Sequence, residues 1–110
     1  MAQAAVATGA DAEAMPAELQ PGTHDFLKAL ASPTRQRIML LFFDGAELSV
    51  GEVAERAGVS QSTASEHLAL MRRGGVVTSV REGKIIRYRG DRDGIRAALA
   101  DLQAYLEVCC

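Results

Sequence analysis

The chain has 110 residues, 48% of them apolar, 24% charged and only 5% aromatic, with no Trp. That is room for one domain with a thin aliphatic core, and no apolar run reaches the roughly 18 residues that cross a bilayer. The net charge of −2 is unevenly spread: residues 1–55 carry three basic and eight acidic side chains, residues 56–89 seven and two, and residues 90–110 two and four. Screening confines each charge to about 8–10 Å, so the positive middle stretch, not the total, governs an encounter with phosphates.

Residues 1–20 are rich in Ala without amphipathic period, and read as a mobile N-terminal tail ahead of a domain spanning 21–110. They lack the basic-then-apolar order of a secretion signal, so a cytoplasmic protein is expected. Pro21-Gly22 breaks the chain, and Thr23 is expected to cap a first helix carrying Phe26, Leu27 and Leu30. Ser32-Pro33 starts a second helix, Ser as N-cap and Pro at the first helical position, running through Ile38, Met39, Leu41 and Phe42 to a stop at Asp44-Gly45. A short extended stretch, Glu47 to Ser49, leads into a third helix that Ser49 and Glu52 close as a capping box. Gly58-Val59-Ser60 is a tight turn, and Ser60 caps a fourth helix from Gln61 to about Arg73, ended by Gly74-Gly75. The period then changes to that of strands: Val76–Arg81 and Lys84–Arg89, joined through Glu82-Gly83, form a hairpin. A last helix begins at Asp91 or Asp93, with Ile95, Ala98, Leu99, Leu102 and Leu106 on one stripe. The fold expected is mainly α with a β-hairpin wing, in the order α-α-α-α-β-β-α.

The third and fourth helices read as a helix-turn-helix. Ala54 supplies the small residue at the crossing, Gly58 the turn and Val59 the apolar plug. On the fourth helix Ala64, Leu68 and Met71 share an inward face, leaving Gln61, Ser62, Thr63, Ser65, Glu66 and Ala69 outward. Such short polar side chains approach base edges and phosphates closely, whereas a merely solvated helix carries more Lys and Glu. Arg72 follows where either phosphates or the helix dipole would engage it. His67 is placed either to donate to a phosphate or to pack. Arg81, Lys84 and Arg87 make the hairpin a wing for the phosphate backbone or the minor groove. Two His and two terminal Cys assemble no nucleophile, base and orienting acid, so no enzyme is expected.

With these elements in place, the chain resembles the ArsR/SmtB family of winged-helix repressors over residues 26–108. The resemblance is carried by Leu30-Ala31-Ser32-Pro33-Thr34-Arg35-Gln36-Arg37-Ile38, Gly51-Glu52-Val53-Ala54, Ser60-Gln61-Ser62-Thr63-Ala64-Ser65-Glu66-His67-Leu68 and Arg81-Glu82-Gly83-Lys84. It implies a homodimer held by the first and last helices, binding an inverted repeat in operator DNA until an inducer, usually a metal or metalloid ion, releases it. Glu66 departs from the family, which often has a neutral or basic residue there. Of the family's sensor sites, the cysteine pair at the start of the third helix is replaced by Leu48-Ser49-Val50-Gly51, and the His ligands of the last helix are missing from Asp91 to Cys110.

What remains is Cys109-Cys110, similar to the adjacent cysteines that serve the arsenic-responsive branch of the family. Trivalent arsenic is thiophilic, and thiolates are the soft anionic ligands a protein offers. Arsenite takes three sulfurs and methylarsenite two; a third thiol is missing from this sequence. The expectation is therefore a repressor with no obligatory cofactor, induced by trivalent arsenic at Cys109 and Cys110. Two alternatives stand beside it: a thiol-redox or persulfide sensor of the same fold, and a winged-helix module that docks protein instead of DNA.

Overall fold

The computed structural model describes residues 18–110, so nearly all of the stretch read as a tail, 1–20, lies outside the described residues. The elements are α1 (Pro21–Leu30), α2 (Pro33–Leu40), a 3-10 turn (Phe43–Gly45), β1 (Leu48–Ser49), α3 (Val50–Ala57), α4 (Gln61–Arg73), β2 (Val77–Glu82), β3 (Ile85–Gly90) and α5 (Arg92–Cys109). This is the expected winged helix-turn-helix, with the short strand before α3 completing an antiparallel sheet of order β1-β3-β2.

Most boundaries are set by local chemistry. Ser32 Oγ accepts from the Arg35 N–H with Pro33 at the first helical position, and Ser49 and Glu52 form both bonds of the capping box. Ser60 Oγ accepts from the Thr63 N–H, and Gly58 ends α3 at φ 72°. Asp91 caps α5 through the Gly94 N–H, which decides between the two aspartates.

Three expectations are corrected. Thr23 does not cap α1: the helix begins at Pro21 behind Gln20, which gives no side-chain cap, and Thr23 is buried within it. Its hydroxyl instead bonds the Asp101 carboxylate on α5, which also accepts from the Gln20 N–H at 2.9 Å. The α-helical part of α2 ends at Leu40, and the chain reaches Asp44-Gly45 through the 3-10 turn, in which Asp44 takes a positive φ of 61°. The hairpin turn is Gly83-Lys84, because Glu82 still pairs with Ile85 in the ladder. A two-residue loop needs positive φ at its first position, and Gly83 adopts 63°.

One core joins these elements: Phe26 and Ala29 of α1, Ile38 of α2 with Phe42, Leu48, Val53 and Ala54 of α3, Ala64, Leu68 and Met71 of α4, Val76, Val77, and Ala98 of α5. Backbones come unusually close where α4 ends. A Cβ on Gly74 would stand 2.7 Å from the Phe26 nitrogen and 2.8 Å from the Asp25 carbonyl, so α1 can lie there only against a glycine. On α5 a Cβ at Gly94 would collide with the Gly75 carbonyl oxygen. The end of α4 is thus gripped between the first and last helices, backbone on backbone.

Candidate nucleic-acid interface

On α4 the 3.6-residue period sorts the side chains as expected. Ala64, Leu68 and Met71 are fully buried, which fixes the rotation of the helix and presents Gln61, Ser62, Ser65, Glu66 and Ala69 to solvent. Thr63 is only half-buried, and its hydroxyl accepts from Ser60 Oγ at 2.9 Å, so it is committed to the cap. The Gln61 amide nitrogen leans over α3, 3.3 Å from where a Cβ on Gly51 would sit. The resulting surface is a shallow row of hydroxyls and one amide at the N-terminal half of the helix.

Strand geometry divides the wing cations between two faces. Arg81 lies opposite Ile86 and shares a face with Ser79, whereas Arg87 lies opposite Val80 on the other face. The Ser79 face is the one tied to α4, because Arg72 Nη1 donates to Ser79 Oγ at 3.1 Å. Arg87 is engaged by acids: its Nε donates to Glu82 Oε1 at 2.8 Å across the hairpin, and its Nη1 lies 4.0 Å from Glu52. Lys84 sits at the hairpin tip. Lys84, Ile85, Ile86 and Tyr88 face Ser49, Val50 and Ser65 across a cleft of about 330 Å³ between the wing and the helix pair. Arg73 is 3.8 Å from Asp25 of α1, a long pair whose arginine is mostly exposed and which carries little energetic weight.

His67 is half-buried, its Nδ1 3.2 Å from Arg35 Nη1. Desolvation first, and then the neighbouring guanidinium, hold its pKa below the ordinary histidine value. Arg35 is the residue that sequence reasoning passed over: a contact across 32 positions leaves no periodic trace, although Arg35 stands within the motif that carries the family resemblance.

The structure brings Cys109 and Cys110 together at the end of α5, both exposed, with their sulfurs 2.7 Å apart. The hydrogen bond between them, with desolvation adding to it, raises the Cys109 pKa above its ordinary value. Among the described residues no group of three or more His, Cys, Asp and Glu side chains is arranged to hold a metal ion. Upstream on α5, Ala98 is buried and Ile95 packs on the core, but Leu99 and Leu106 remain 49% and 51% exposed. Among the described residues no helix is long and apolar enough to cross a membrane.

Comparison with known proteins agrees with this architecture. Residues 30–80 match a helix-turn-helix domain family. The chain is 38% identical over 73 residues to the transcriptional activator HlyU of Vibrio cholerae, covering 66% of this chain and 67% of that protein. It is 36% identical over 75 residues to the HTH-type transcriptional regulator CmtR of Mycobacterium tuberculosis, covering 68% of this chain and 63% of that one. The match thus spans about two thirds of the length of these curated relatives. Among solved structures, HlyU superposes with a TM-score of 0.59 at 35% identity, covering 74% of this chain and 88% of that chain. A possible transcriptional regulator for arsenical resistance gives 0.62 at 31% identity, covering 76% and 88%. These relatives are transcriptional regulators, not enzymes, and this chain belongs to the ArsR/SmtB family of winged-helix transcriptional regulators.

Proposed function

We propose that the chain is a metalloid-responsive repressor, a homodimer that holds an inverted-repeat operator and releases it when trivalent arsenic binds Cys109 and Cys110. The observation that carries this reading is the side-by-side, exposed thiol pair closing the same helix that bears uncovered leucines. Leu99, Leu102 and Leu106 line a shallow open groove, and a second copy crossing there would remove them from water. Two protomers so joined would present two α4 surfaces at the spacing of successive major grooves, about 34 Å.

In this reading Gln61, Ser62 and Ser65 face base edges or nearby phosphates, with Thr63 holding the helix start. Arg72, Arg81 and Lys84 supply the cations nearest that surface, and Arg87 serves phosphate only by giving up its acidic partners. His67 offers its remaining ring nitrogen. Arg35 and the Ser60 cap keep the helix in place beneath them.

The donor set fits a two-sulfur ligand. Two soft donors and no third among the described residues suit a methylated trivalent arsenical, whose carbon substituent leaves two positions for sulfur. Each As–OH is replaced by an S–As bond, the thiol proton leaving with the hydroxide as water, so a protonated resting pair is no obstacle. Likeness to a regulator connected with arsenical resistance supports the same assignment. A bridged pair would change the end of α5 inside the dimer interface, and a coupling of about 1–3 kcal/mol would lower operator affinity roughly 5–150-fold.

The test is fluorescence anisotropy on the operator upstream of the gene, with methylarsenite, arsenite and peroxide added separately. Release by methylarsenite that disappears in Cys109→Ser and Cys110→Ser supports the reading. Undiminished release from the doubly substituted protein refutes the site. Release by peroxide alone, reversed by a reductant, moves the assignment to thiol-redox sensing. A stable monomer in light scattering refutes the dimer.

A further inference from the structure

Arg35 spans three elements. Its backbone N–H donates to the Ser32 cap of α2; its Nη2 donates to the Lys28 carbonyl at 2.7 Å and its Nε to the Ala29 carbonyl at 3.2 Å, both in the last turn of α1. The Lys28 carbonyl also accepts from the Ala31 N–H at 3.2 Å, and the guanidinium adds its two donors to these end-of-helix carbonyls, closing the end of α1. Its remaining arm, Nη1, meets His67 Nδ1 in the middle of α4 at 3.2 Å. One always-charged side chain therefore fastens the C-terminus of the first helix to the helix with the exposed hydroxyl row.

The donor inventory fixes the state of the histidine. A guanidinium carries hydrogens on every nitrogen and accepts from nothing, so Nδ1 must present its lone pair. The neutral ring then carries its hydrogen on Nε2. Adding a proton to Nδ1 would set two cationic groups against each other and abolish the bond.

We propose that Arg35 is a positioning residue for operator binding: it holds His67 as the Nε2–H tautomer and ties α4 to α1, and protonation of His67 undoes the tie. The charges acting on the ring are Arg35 from α2 and Glu66 from its own helix, while α1 contributes the two carbonyls that hold the guanidinium. Desolvation and Arg35 both lower the His67 pKa, outweighing Glu66, so the tie is complete above the ordinary histidine value and is lost as pH falls through the lowered one. The proposal rests on operator binding through α4. It adds that the first helix, half of the suggested dimer interface, is coupled to the reading surface by a bond that acid breaks.

The experiment has a readout on free protein and one on the complex. Ring ¹⁵N shifts at neutral pH should show His67 as the Nε2–H tautomer, titrating below the ordinary histidine value, with the preference relaxed in Arg35→Met. Anisotropy should show affinity weakening about tenfold from about pH 7.5 to about pH 5.5, the scale of one hydrogen bond to a charged group. Arg35→Met should be weaker by a similar factor at the higher pH and nearly flat between the two. Arg35→Lys, which keeps the charge but cannot reach all three acceptors, serves if Arg35→Met does not fold, and should fall between. An Nδ1–H tautomer, or an Arg35 variant that follows the wild-type affinity and pH curve, overturns the proposal. A protein that bound no operator at any pH would refute the function above, and the ring tautomer would still decide the contact.

Discussion

Replacing Gly74 by Ala probes the grip on the end of α4 without disturbing anything else. The Gly74 φ of −81° is ordinary for alanine, so the substitution brings no backbone strain of its own. The added methyl would lie 2.7 Å from the Phe26 nitrogen and 2.8 Å from the Asp25 carbonyl carbon and oxygen, against the roughly 3.5 Å at which such atoms rest. Neither neighbour is a flexible side chain, so α1 itself must move by several tenths of an ångström and loosen Phe26 and Ala29 in the core. Overpacking of this kind costs about 1–3 kcal/mol, offset by about 0.4–1 kcal/mol from the stiffer unfolded chain. The net loss is about 1–2 kcal/mol, or roughly 4–16 °C in Tm. Urea unfolding at fixed protomer concentration measures it, since a dimer's stability depends on that concentration. Gly51→Ala is the control: its methyl meets two side chains inside a helix, the flexible Gln61 amide at 3.3 Å and the Ser49 hydroxyl at an ordinary 3.9 Å, so stability should hold or rise by up to about 1 kcal/mol. If Gly74→Ala proves as stable as the parent, α1 and α4 do not touch through their backbones and the account of the grip is wrong.

Leu99→Glu with Leu106→Glu should leave the helical circular dichroism intact but give a monomer in light scattering, because both side chains are half exposed in the single chain. Ser60→Ala removes the acceptor of the Thr63 N–H and should cost about 1 kcal/mol together with measurable operator affinity. Asp101 has its pKa lowered first by the Thr23 hydroxyl and then by the Gln20 N–H, and Glu52 first by the Ser49 N–H. Both contributions are present above the ordinary carboxylate range and lost as pH falls through the lowered values. Asp101→Asn and Glu52→Gln should therefore flatten the acid limb of the stability curve; an unchanged limb would contradict both contacts.

The parts of the fold legible in the sequence were those written within a few residues. Ser49 with Glu52, Gly58, Ser60 and the Ala64/Leu68/Met71 period each state a boundary or a face locally, and the structure keeps them. Thr23 misled because a hydroxyl near a helix start has the same local signature whether it caps or is buried. Only Asp101, far along the chain, decides which. Gly74 read as a stop signal, while its purpose, like that of Gly94, is the approach of a second backbone. The wing cations were countable from the sequence, but their division between two faces depends on the register, which placed the turn at Gly83-Lys84. Arg35 stayed hidden for the same reason as Thr23: its acceptors belong to two other helices.

The pairing of Arg87 with Glu82 and Glu52 changes what the wing contributes thermodynamically. Duplex DNA carries condensed counterions, and each phosphate neutralised by a protein cation releases close to one, which sets how steeply affinity falls with added salt. A cation already matched by carboxylates contributes little to that release unless they are first pulled away. Of the four cations in the hairpin sequence, Arg87 should then contribute little to the slope of a salt titration, which falls to Arg81, Lys84 and Arg89. Less of the binding free energy then comes from a tether indifferent to sequence, and a larger share falls to the hydroxyls of α4.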